Sequence, residues 1–336
     1  MTKIVIDMEM TPADLATLRA LDGVRVETIT PSNQSRELPL ELIADADFIA
    51  CRMPPKNQAE MRRLKFIQIS SVGYAQLYGL ELVRRGVRAA NARGVFDAAI
   101  AEWNIAMMIN LGRDLRTMIR NQDAGRWEVR RPFTHEIRGS TVGLWGYGGI
   151  GRETARLAKS LGMRVHALVR RGVSDRSNTY CVAGIGDPDG SLPDRVFKAG
   201  EELDFLTELD FLILAMPLTP ANTGLIGERE LRRLRPTAFL LNPARGPIVQ
   251  EAALLKALDE GWIAGAALDT HFYYPMPPDH PLWRKPNVIM TPHVSGSELG
   301  PHFVARMGEI FVHNVRSLLA GKPLWNELTA DELEGR

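Results

Sequence analysis

The sequence predicts an α/β protein built on parallel β-sheets, and two observations support this fold class. Short β-branched and apolar runs alternate with segments of helical spacing, a pattern typical of doubly wound parallel sheets that helices cover on both faces. The alternation is interrupted by a polar, arginine-rich stretch at residues 125–139 and then resumes. Because 336 residues suffice for two domains, we expect two such sheets.

The first set of elements lies before residue 125. Helices are predicted at residues 11–21, where Thr11 can cap and Pro12 occupies the first turn, and at about 97–121. The second helix is expected to bury an apolar face formed by Ile100, Trp103, Met107, Met108 and Leu111. The predicted strands are 3–8, 24–29, 47–51, 66–70 and 87–91.

The second set of elements follows the arginine-rich stretch. Its predicted strands are 141–146, 164–169, 211–216, 238–242, 265–269 and 287–291. A last helix is predicted at about 297–320. Residues 173–200 are rich in Gly, Pro, Asp and Ser, and we expect them to form a loop-rich surface insertion.

Composition argues against several classes of protein. The net charge is +1 with basic and acidic residues intermixed, so no nucleic-acid partner is expected. Two cysteines and scattered histidines predict neither a disulfide framework nor a metal site. We find neither a signal-peptide pattern nor an apolar stretch long enough to span a bilayer, so no membrane partner and a cytoplasmic location are expected.

A glycine-rich loop gives the strongest functional signal. The pattern Gly146-x-Gly148-x-x-Gly151 follows one predicted strand, opens a helix and precedes another strand, as a dinucleotide-binding loop requires. The helix N-terminus would meet the pyrophosphate, and Arg152 could add a charged contact. The alternative is a structural turn that uses glycines for shape. The residues predicted at the cofactor here are Gly146, Gly148, Gly149, Ile150, Gly151 and Arg152.

The end of the next strand bears on which dinucleotide binds. A site that prefers NAD usually has an acidic residue there to accept hydrogen bonds from the ribose. This sequence has Val169, Arg170 and Arg171 instead. Two guanidinium groups can bind a 2′-phosphate, so NADP(H) is favoured and NAD(H) stays possible. The alternative is that both arginines are solvated strand-end residues.

The sequence resembles the D-isomer-specific 2-hydroxyacid dehydrogenase family over nearly its whole length. The likeness lies in the glycine loop and in SVGYAQL (71–77), NARGVFDAAIAE (91–102), LLNPARGPIVQEAALLKALDEGWIAGAALD (240–269) and PNVIMTPHVSG (286–296). The resemblance implies a flavodoxin-like substrate domain from residues 1–95 and 293–336. A Rossmann-type cofactor domain, residues 96–292, would be inserted in it. A cleft between them would hold the nicotinamide and a 2-keto acid, and a homodimer is expected.

The resemblance also assigns roles to individual residues. Arg245 matches the arginine that grips the substrate carboxylate and carbonyl, which suits its planar fork of donors. His293 matches the acid–base group, and histidine can give and take a proton near neutral pH. Val72 and Gly73 match the loop whose amides hold the substrate carboxylate, and Arg52 is a candidate at the same cleft or a solvated strand-end residue. Further cofactor positions are Pro217, Thr223, Ala244, Asp269 (near the nicotinamide) and Gly296.

One family position is substituted. A glutamate five residues after the aspartate pairs with the catalytic histidine in the family, and here that residue is Tyr274. The formate dehydrogenase branch, which this chain resembles locally, has a neutral glutamine there, but its substrate asparagine is not apparent. We hypothesise that Tyr274 hydrogen-bonds or packs against His293 and leaves the imidazole less basic than a carboxylate would. The alternative is that Tyr274 only lines an aromatic pocket.

Three functional interpretations therefore stand at this point. The first is an NADP(H)-dependent reductase that interconverts a small 2-keto acid and the D-2-hydroxy acid. The second is a non-catalytic dinucleotide-binding regulator on the same fold, because fold alone does not fix chemistry. The third is a formate-dehydrogenase-like oxidase of a small acid. Arg245 and His293 favour the first interpretation, since a sensor needs neither.

Overall fold

The structure is a computed structural model that describes residues 1–129, 135–170, 172–173, 176, 178–296 and 300–335. Its backbone separates into two compact units. The first contains Met1–Phe96, Arg176–Val182 and Glu298–Arg336, and the second contains Asp97–Asp175 and Ala183–Ser297. Each unit is built around one sheet, and each is described separately below.

The first unit contains a five-stranded sheet in which every pairing is parallel. The strand order β2-β1-β3-β4-β5 is the flavodoxin-like order. The strands are β1 (Thr2–Asp7), β2 (Val24–Thr28), β3 (Phe48–Cys51), β4 (Phe66–Ile69) and β5 (Arg88–Ala90). The helices of this unit are α1 (Pro12–Arg19), α2 (Leu40–Ile43), α9 (Pro301–Leu319) and α10 (Ala330–Leu333).

Helix α1 begins as predicted. The Thr11 side chain accepts a hydrogen bond from the Asp14 amide, and Pro12 stands in the first turn. Beneath the helices, alternate residues of the strands form an apolar core, with Val5, Ile49 and Ile67 fully buried. Burying each of these side chains contributes about 1.5–3 kcal/mol.

The second unit contains a seven-stranded sheet, again with every pairing parallel. Its order, β12-β11-β10-β9-β6-β7-β8, is that of a Rossmann fold. The strands are β6 (Thr141–Trp145), β7 (Arg164–Val169), β8 (Arg195–Lys198), β9 (Phe211–Leu214), β10 (Phe239–Asn242), β11 (Gly265–Leu268) and β12 (Val288–Met290). The helices are α3 (Asp97–Gly112), α4 (Leu115–Asp123), α5 (Gly149–Ser160), α6 (Glu202–Leu206), α7 (Glu228–Leu231) and α8 (Glu251–Asp259).

Both faces of this second sheet are covered, as the sequence predicts. Leu240 belongs to one apolar cluster and its neighbours Phe239 and Leu241 belong to another. Since successive side chains of a strand point to opposite faces, the two clusters lie on the two sides of β10. The predicted fold class, two doubly wound parallel sheets, is confirmed.

Two sequence-based predictions need correction. The long helix predicted at 97–121 is two helices, because Asp114 adopts a left-handed backbone (φ 50°) between α3 and α4. Its buried face also differs, since Ala101 and Asn104 are buried with Met108 and Leu111, whereas three of the predicted core residues are only half-buried. These three are Ile100, Trp103 and Met107.

The insertion at 173–200 is not only surface decoration. It contains β8, which pairs with β7 and buries Phe197. It also contains Tyr180, which is 3% exposed in the first unit. The Tyr180 amide donates to Asn326 Oδ1 at 3.0 Å, and its hydroxyl donates to Glu309 at 2.7 Å. Tyr180 is therefore anchored in the first unit by specific hydrogen bonds.

Candidate active site

The glycine loop of the second unit joins β6 to α5 at the point where the strand order reverses, between β6 and β9. Gly146 has φ 105°, and a Cβ there would lie 2.5 Å from the Ala215 carbonyl oxygen. Gly148 is the N-cap of α5, whose first residues are Gly149 and Ile150. A Cβ on Gly151 would lie 2.6 Å from the Gly146 carbonyl oxygen. The loop therefore leaves no space for a side chain at Gly146 or Gly151. It places the N-terminus of α5 at a topological switch point, where such sheets bind nucleotides.

A buried polar cluster, not predicted from the sequence, fixes this loop. Tyr147, between the first two glycines, donates its hydroxyl to Asp187 at 2.6 Å. Burial and this carboxylate raise the pKa of Tyr147. The Asp187 carboxylate also accepts from the amides of Ser191 and Leu192, both at 3.1 Å. Part of the insertion is thus fastened to the glycine loop.

Arg152 belongs to the same cluster. It is 3% exposed, and Nη1 donates to the backbone carbonyls of Asp187 and of Pro188, the latter at 3.1 Å. Glu153 accepts from the Gly186 amide at 2.6 Å. The contact predicted between Arg152 and a pyrophosphate would require the guanidinium to leave these carbonyls.

The remaining cofactor candidates occupy loops at the carboxyl ends of the strands. Arg170 follows β7 and is exposed, while Arg171 lies outside the described residues. Pro217 and Thr223 are exposed after β9, and the Thr223 hydroxyl donates to the Thr219 carbonyl at 3.1 Å. Gly296 is half-buried in a turn after β12.

The loop after β10 is organised by the buried Asn242. Its side-chain oxygen accepts from the amides of Ala244 and Arg245 at 3.1 and 3.2 Å, and its nitrogen donates to the Arg245 carbonyl at 2.9 Å. The half-buried Arg245 guanidinium donates to the Ala244 carbonyl at 2.7 Å. Among the described residues it has no carboxylate partner, so a partly desolvated cation is available to an anion.

The loop after β12 carries His293 on a left-handed backbone, φ 58°. Asp269, fully buried at the end of β11, holds this loop. Its carboxylate accepts from the amides of Val294 and Ser295 at 2.9 and 3.0 Å, and from the hydroxyls of Ser295 and Thr291. Asp269, predicted near the nicotinamide, thus anchors the segment that bears the histidine.

Tyr274 contacts His293, which confirms the predicted interaction. Its hydroxyl lies 3.1 Å from His293 Nδ1, with the ring centroids 5.7 Å apart. The same hydroxyl accepts from the His271 amide at 3.2 Å. It can therefore donate its own hydrogen to a neutral imidazole or accept one from an imidazolium. Both side chains are exposed.

The three loops after β10, β11 and β12 meet at one edge of the sheet. A Cβ on Gly246, beside Arg245, would lie 2.3 Å from the His271 carbonyl oxygen. The buried His271 donates through Nε2 to the Thr291 carbonyl at 2.8 Å, and its Nδ1 has no partner among the described residues. The Arg245 loop, the Tyr274 loop and the His293 loop are therefore linked through His271, which the sequence did not single out for a matched role.

The first unit carries the other substrate candidates. Arg52 is half-buried directly after β3, and its carbonyl accepts from the Gln76 side chain at 3.3 Å. Val72 and Gly73 are half-buried in the loop after β4, and the Val72 carbonyl accepts from Asn91 Nδ2 at 2.8 Å.

The described part of the chain contains neither a metal-site cluster nor a membrane-spanning helix. No cluster of three or more His, Cys, Asp or Glu side chains there has the arrangement of a metal site. No described helix is long and apolar enough to cross a membrane.

Comparison with known proteins agrees with this arrangement. A family model described as D-isomer specific 2-hydroxyacid dehydrogenase, NAD binding domain, matches residues 105–295. A glyoxylate reductase from Thermofilum pendens is 33% identical over 299 residues, covering 86% of this chain and 83% of the relative.

Two solved structures share the fold. A D-isomer specific 2-hydroxyacid dehydrogenase family protein from Aeromonas salmonicida superposes with a TM-score of 0.77 at 24% identity, covering 98% of this chain and 99% of the other. An NADPH-dependent glyoxylate/hydroxypyruvate reductase from Sinorhizobium meliloti, in complex with citrate, superposes with a TM-score of 0.73 at 24% identity, covering 100% of both chains.

The fold and the family match define a nicotinamide-dependent oxidoreductase that acts on small 2-hydroxy or 2-keto acids. The chain belongs to the D-isomer-specific 2-hydroxyacid dehydrogenase family.

Proposed function

We propose that the protein is an NADP(H)-dependent reductase of a small 2-keto acid, with the first unit as substrate domain and the second as cofactor domain. The observation that carries this proposal is the pair formed by Arg245 and His293. A guanidinium without a carboxylate partner among the described residues stands on one loop, and an exposed imidazole contacting Tyr274 stands on a linked loop. A protein that only senses a dinucleotide has no use for either group.

The residues around the glycine loop fit a dinucleotide. The first and third glycines leave no space for a Cβ, and the N-terminus of α5 offers unpaired amides to a pyrophosphate. When bound, the nicotinamide supplies or accepts the hydride. The exposed Arg170 and the lack of an acid at the end of β7 favour the 2′-phosphate of NADP(H), while NAD(H) remains a slower alternative.

The protein's own groups would bind and protonate the substrate. Arg245 would donate to the carboxylate and the keto oxygen, drawing charge toward that oxygen as it becomes an alkoxide. His293 would give it a proton through Nε2, because Nδ1 is turned to Tyr274. In the first unit, the amides of Val72 and Gly73 would contribute to carboxylate binding, with Arg52 as a candidate for a second anionic group.

The Tyr274 contact gives this reductase a distinct pH dependence. A carboxylate beside an imidazole stabilises its charged form, and a neutral hydroxyl does so less. We therefore propose that keto-acid reduction, which requires the protonated imidazole, weakens at lower pH than it would with glutamate at this position. A Tyr274→Glu variant should extend reduction to higher pH. If the wild type reduced the keto acid as fast well above neutral pH as at neutral pH, this step would be contradicted.

The direct test is steady-state oxidation of NADPH and of NADH against a panel of 2-keto acids that includes glyoxylate and hydroxypyruvate. The name of the Thermofilum relative makes glyoxylate the first substrate to try. We expect turnover of at least one acid, faster with NADPH. Tight NADPH binding without turnover of any acid would support a regulator instead. NAD-dependent formate oxidation would support the third interpretation.

We also propose that the protein acts as a homodimer. Apolar side chains are exposed along α3, α4 and the segment after them, including Ile119 at 55% and Trp127 at 95%. Exposed apolar side chains grouped in this way are typical of an interaction surface. Sedimentation equilibrium should give a dimer, and the double variant Ile119→Ser, Trp127→Ser should give a monomer. A monomeric wild type at micromolar concentration would contradict the proposal.

A further inference from the structure

The loop after β4 in the first unit has an unusual distribution of hydrogen bonds. Three consecutive carbonyls accept bonds from within the protein. The Ser71 carbonyl accepts from the Ala92 amide at 3.0 Å, and the Gly73 carbonyl accepts from the Ser71 hydroxyl at 2.7 Å. Between them, the Val72 carbonyl accepts from Asn91 Nδ2 at 2.8 Å.

Because peptides are planar, this pattern leaves the amides of the loop available as hydrogen-bond donors. In a trans peptide the carbonyl of one residue and the N–H of the next point in opposite directions. Each carbonyl held by the protein therefore directs the following N–H away from that partner. The amides of Val72, Gly73 and Tyr74 donate to no acceptor among the described residues. Successive free amides in a turn can bind an anion together, and we call these three amides the amide cradle.

Asn91 controls the central peptide of the amide cradle and is itself rigidly held. It is fully buried after β5, and its side-chain oxygen accepts from the Arg93 amide at 3.2 Å. Its backbone carbonyl accepts from Gln68 Nε2 at 3.1 Å and from Asn326 Nδ2 at 3.2 Å. Its side-chain nitrogen is thereby aimed at the Val72 carbonyl, and a carboxylate at position 91 could not donate there.

We propose that Asn91 is a positioning residue for substrate binding: its amide locks the Val72 carbonyl inward and so aims the Gly73 N–H at the carboxylate of the 2-keto acid. This inference rests on the proposed function, because it takes the ligand of the amide cradle to be the substrate carboxylate. Asn91 makes no contact with substrate in this scheme. It lowers the reorganisation needed to bind an anion, since the donors already face outward.

The test is the Asn91→Asp variant, which keeps the shape and the acceptor for Arg93 but loses the donor to Val72. We expect KM for the keto acid to rise about tenfold to a hundredfold, the effect of misplacing one or two hydrogen bonds, with kcat and NADPH affinity changed less than about threefold. The matched control is Asn57→Asp, which removes a comparable side-chain donor to the Leu38 carbonyl (2.9 Å) in the same unit. It should leave KM unchanged.

A second measurement does not need turnover. Oxamate, a carboxylate that is not reduced as a keto acid, should shift the Gly73 amide signal in ¹⁵N-resolved NMR spectra of the wild type, and much less in Asn91→Asp. If the wild type turns over no keto acid yet shows this shift, the proposed function fails, while the carboxylate-binding role of the amide cradle and its dependence on Asn91 hold. If Asn91→Asp does not fold, Ser71→Ala, which frees the Gly73 carbonyl, should raise KM more modestly. A KM effect no larger than that of Asn57→Asp, or an unchanged oxamate shift, would overturn the inference.

Discussion

Two loops at the carboxyl edge of the second sheet are shaped by opposite means. The glycine loop after β6 depends on the absence of side chains, because Gly146 and Gly151 each stand where a Cβ would collide with a backbone oxygen. In the loop after β12 the residue with a left-handed backbone is His293, not a glycine. The shape of this loop depends on hydrogen bonds to a carboxylate that is distant in the sequence. Asp269, 22 to 26 residues earlier, accepts the donors of Thr291, Val294 and Ser295.

The difference separates local from long-range control of a functional loop. A loop shaped by its own glycines can be recognised from a short pattern, even though the Tyr147–Asp187 bond also holds it. A loop shaped by a buried anion can place one side chain at a fixed position. The left-handed backbone of His293 costs about 1–3 kcal/mol, and the surrounding hydrogen bonds must offset this cost. The second design suits a residue that must meet a reacting atom at a fixed angle.

The largest expected effect is at the histidine itself. His293→Asn removes the proton donor but keeps a side chain that tolerates the left-handed backbone. We expect keto-acid reduction to fall about 100-fold to 10,000-fold in kcat, the usual contribution of a general acid. Stopped-flow measurement of NADPH oxidation would show the loss.

NADPH affinity serves as the internal control for this variant, because the substitution changes none of the predicted cofactor residues. It should be unchanged within about twofold. A His293→Asn enzyme that retains more than a tenth of the wild-type kcat would mean that another group protonates the substrate.

The next largest effect is expected from the anchor of the histidine loop. Asp269→Asn replaces a fully buried carboxylate that receives several donors with a group that can accept only part of them. We expect the free energy of unfolding to fall by about 2–4 kcal/mol and kcat to fall at least tenfold, because His293 loses its fixed backbone. Urea unfolding and steady-state kinetics would measure both.

Asp47→Asn is a matched control for that variant. Asp47 is also fully buried and accepts the Lys3 amide at 3.0 Å, but in the first unit. It should lower stability to a similar degree while kcat is retained. Equal losses of kcat in the two variants would show that Asp269 acts through stability alone.

The sequence predicted these two loops unequally well. The glycine pattern, its flanking strand and its helix could be recognised because they lie next to one another in the sequence. The parallel sheets followed from the alternation of strands and helices. His293 could be recognised only by its resemblance to a family pattern. The hydrogen bonds between Asp269 and the loop of His293 depend on the pairing of β11 with β12. The sequence alone does not reveal this pairing.

The buried cluster around Asp187 could not be predicted for the same reason. The insertion has the composition of a surface loop, and nothing near Asp187 indicates that Tyr147, 40 residues earlier, donates to it. Edge strand β8 could not be predicted because only Phe197 of its four residues is buried, so the strand has no apolar periodicity. The break at Asp114 could not be predicted because a single left-handed residue leaves the apolar spacing on both sides almost intact.

A smaller effect is expected at the glycine loop. Gly146→Ala places a Cβ at a backbone of φ 105° and within 2.5 Å of the Ala215 carbonyl oxygen. We expect the Kd for NADPH to rise about tenfold, since the backbone must shift where the pyrophosphate binds. Gly200→Ala is the control, because Gly200 has a similar φ of 98° with nothing within 4 Å of the added Cβ. Fluorescence titration should show weaker NADPH binding only for Gly146→Ala. An equal loss of NADPH affinity in both variants would mean that backbone strain alone causes it.

The smallest effect concerns the contact that joins the histidine loop to its neighbour. Tyr274→Phe keeps the ring and removes the hydroxyl that lies 3.1 Å from His293 Nδ1, so kcat should fall about threefold to tenfold, as expected for one solvent-exposed hydrogen bond. Tyr273→Phe removes a neighbouring hydroxyl that donates to Glu251 instead, and kcat should not change. Profiles of kcat against pH carry the decisive information. If the hydroxyl orients the imidazole, the Tyr274→Phe profile should keep its shape at reduced height, because no charge has been removed. An alkaline limb displaced by more than half a pH unit would mean that the hydroxyl tunes the proton affinity of His293 and is more than an orienting contact.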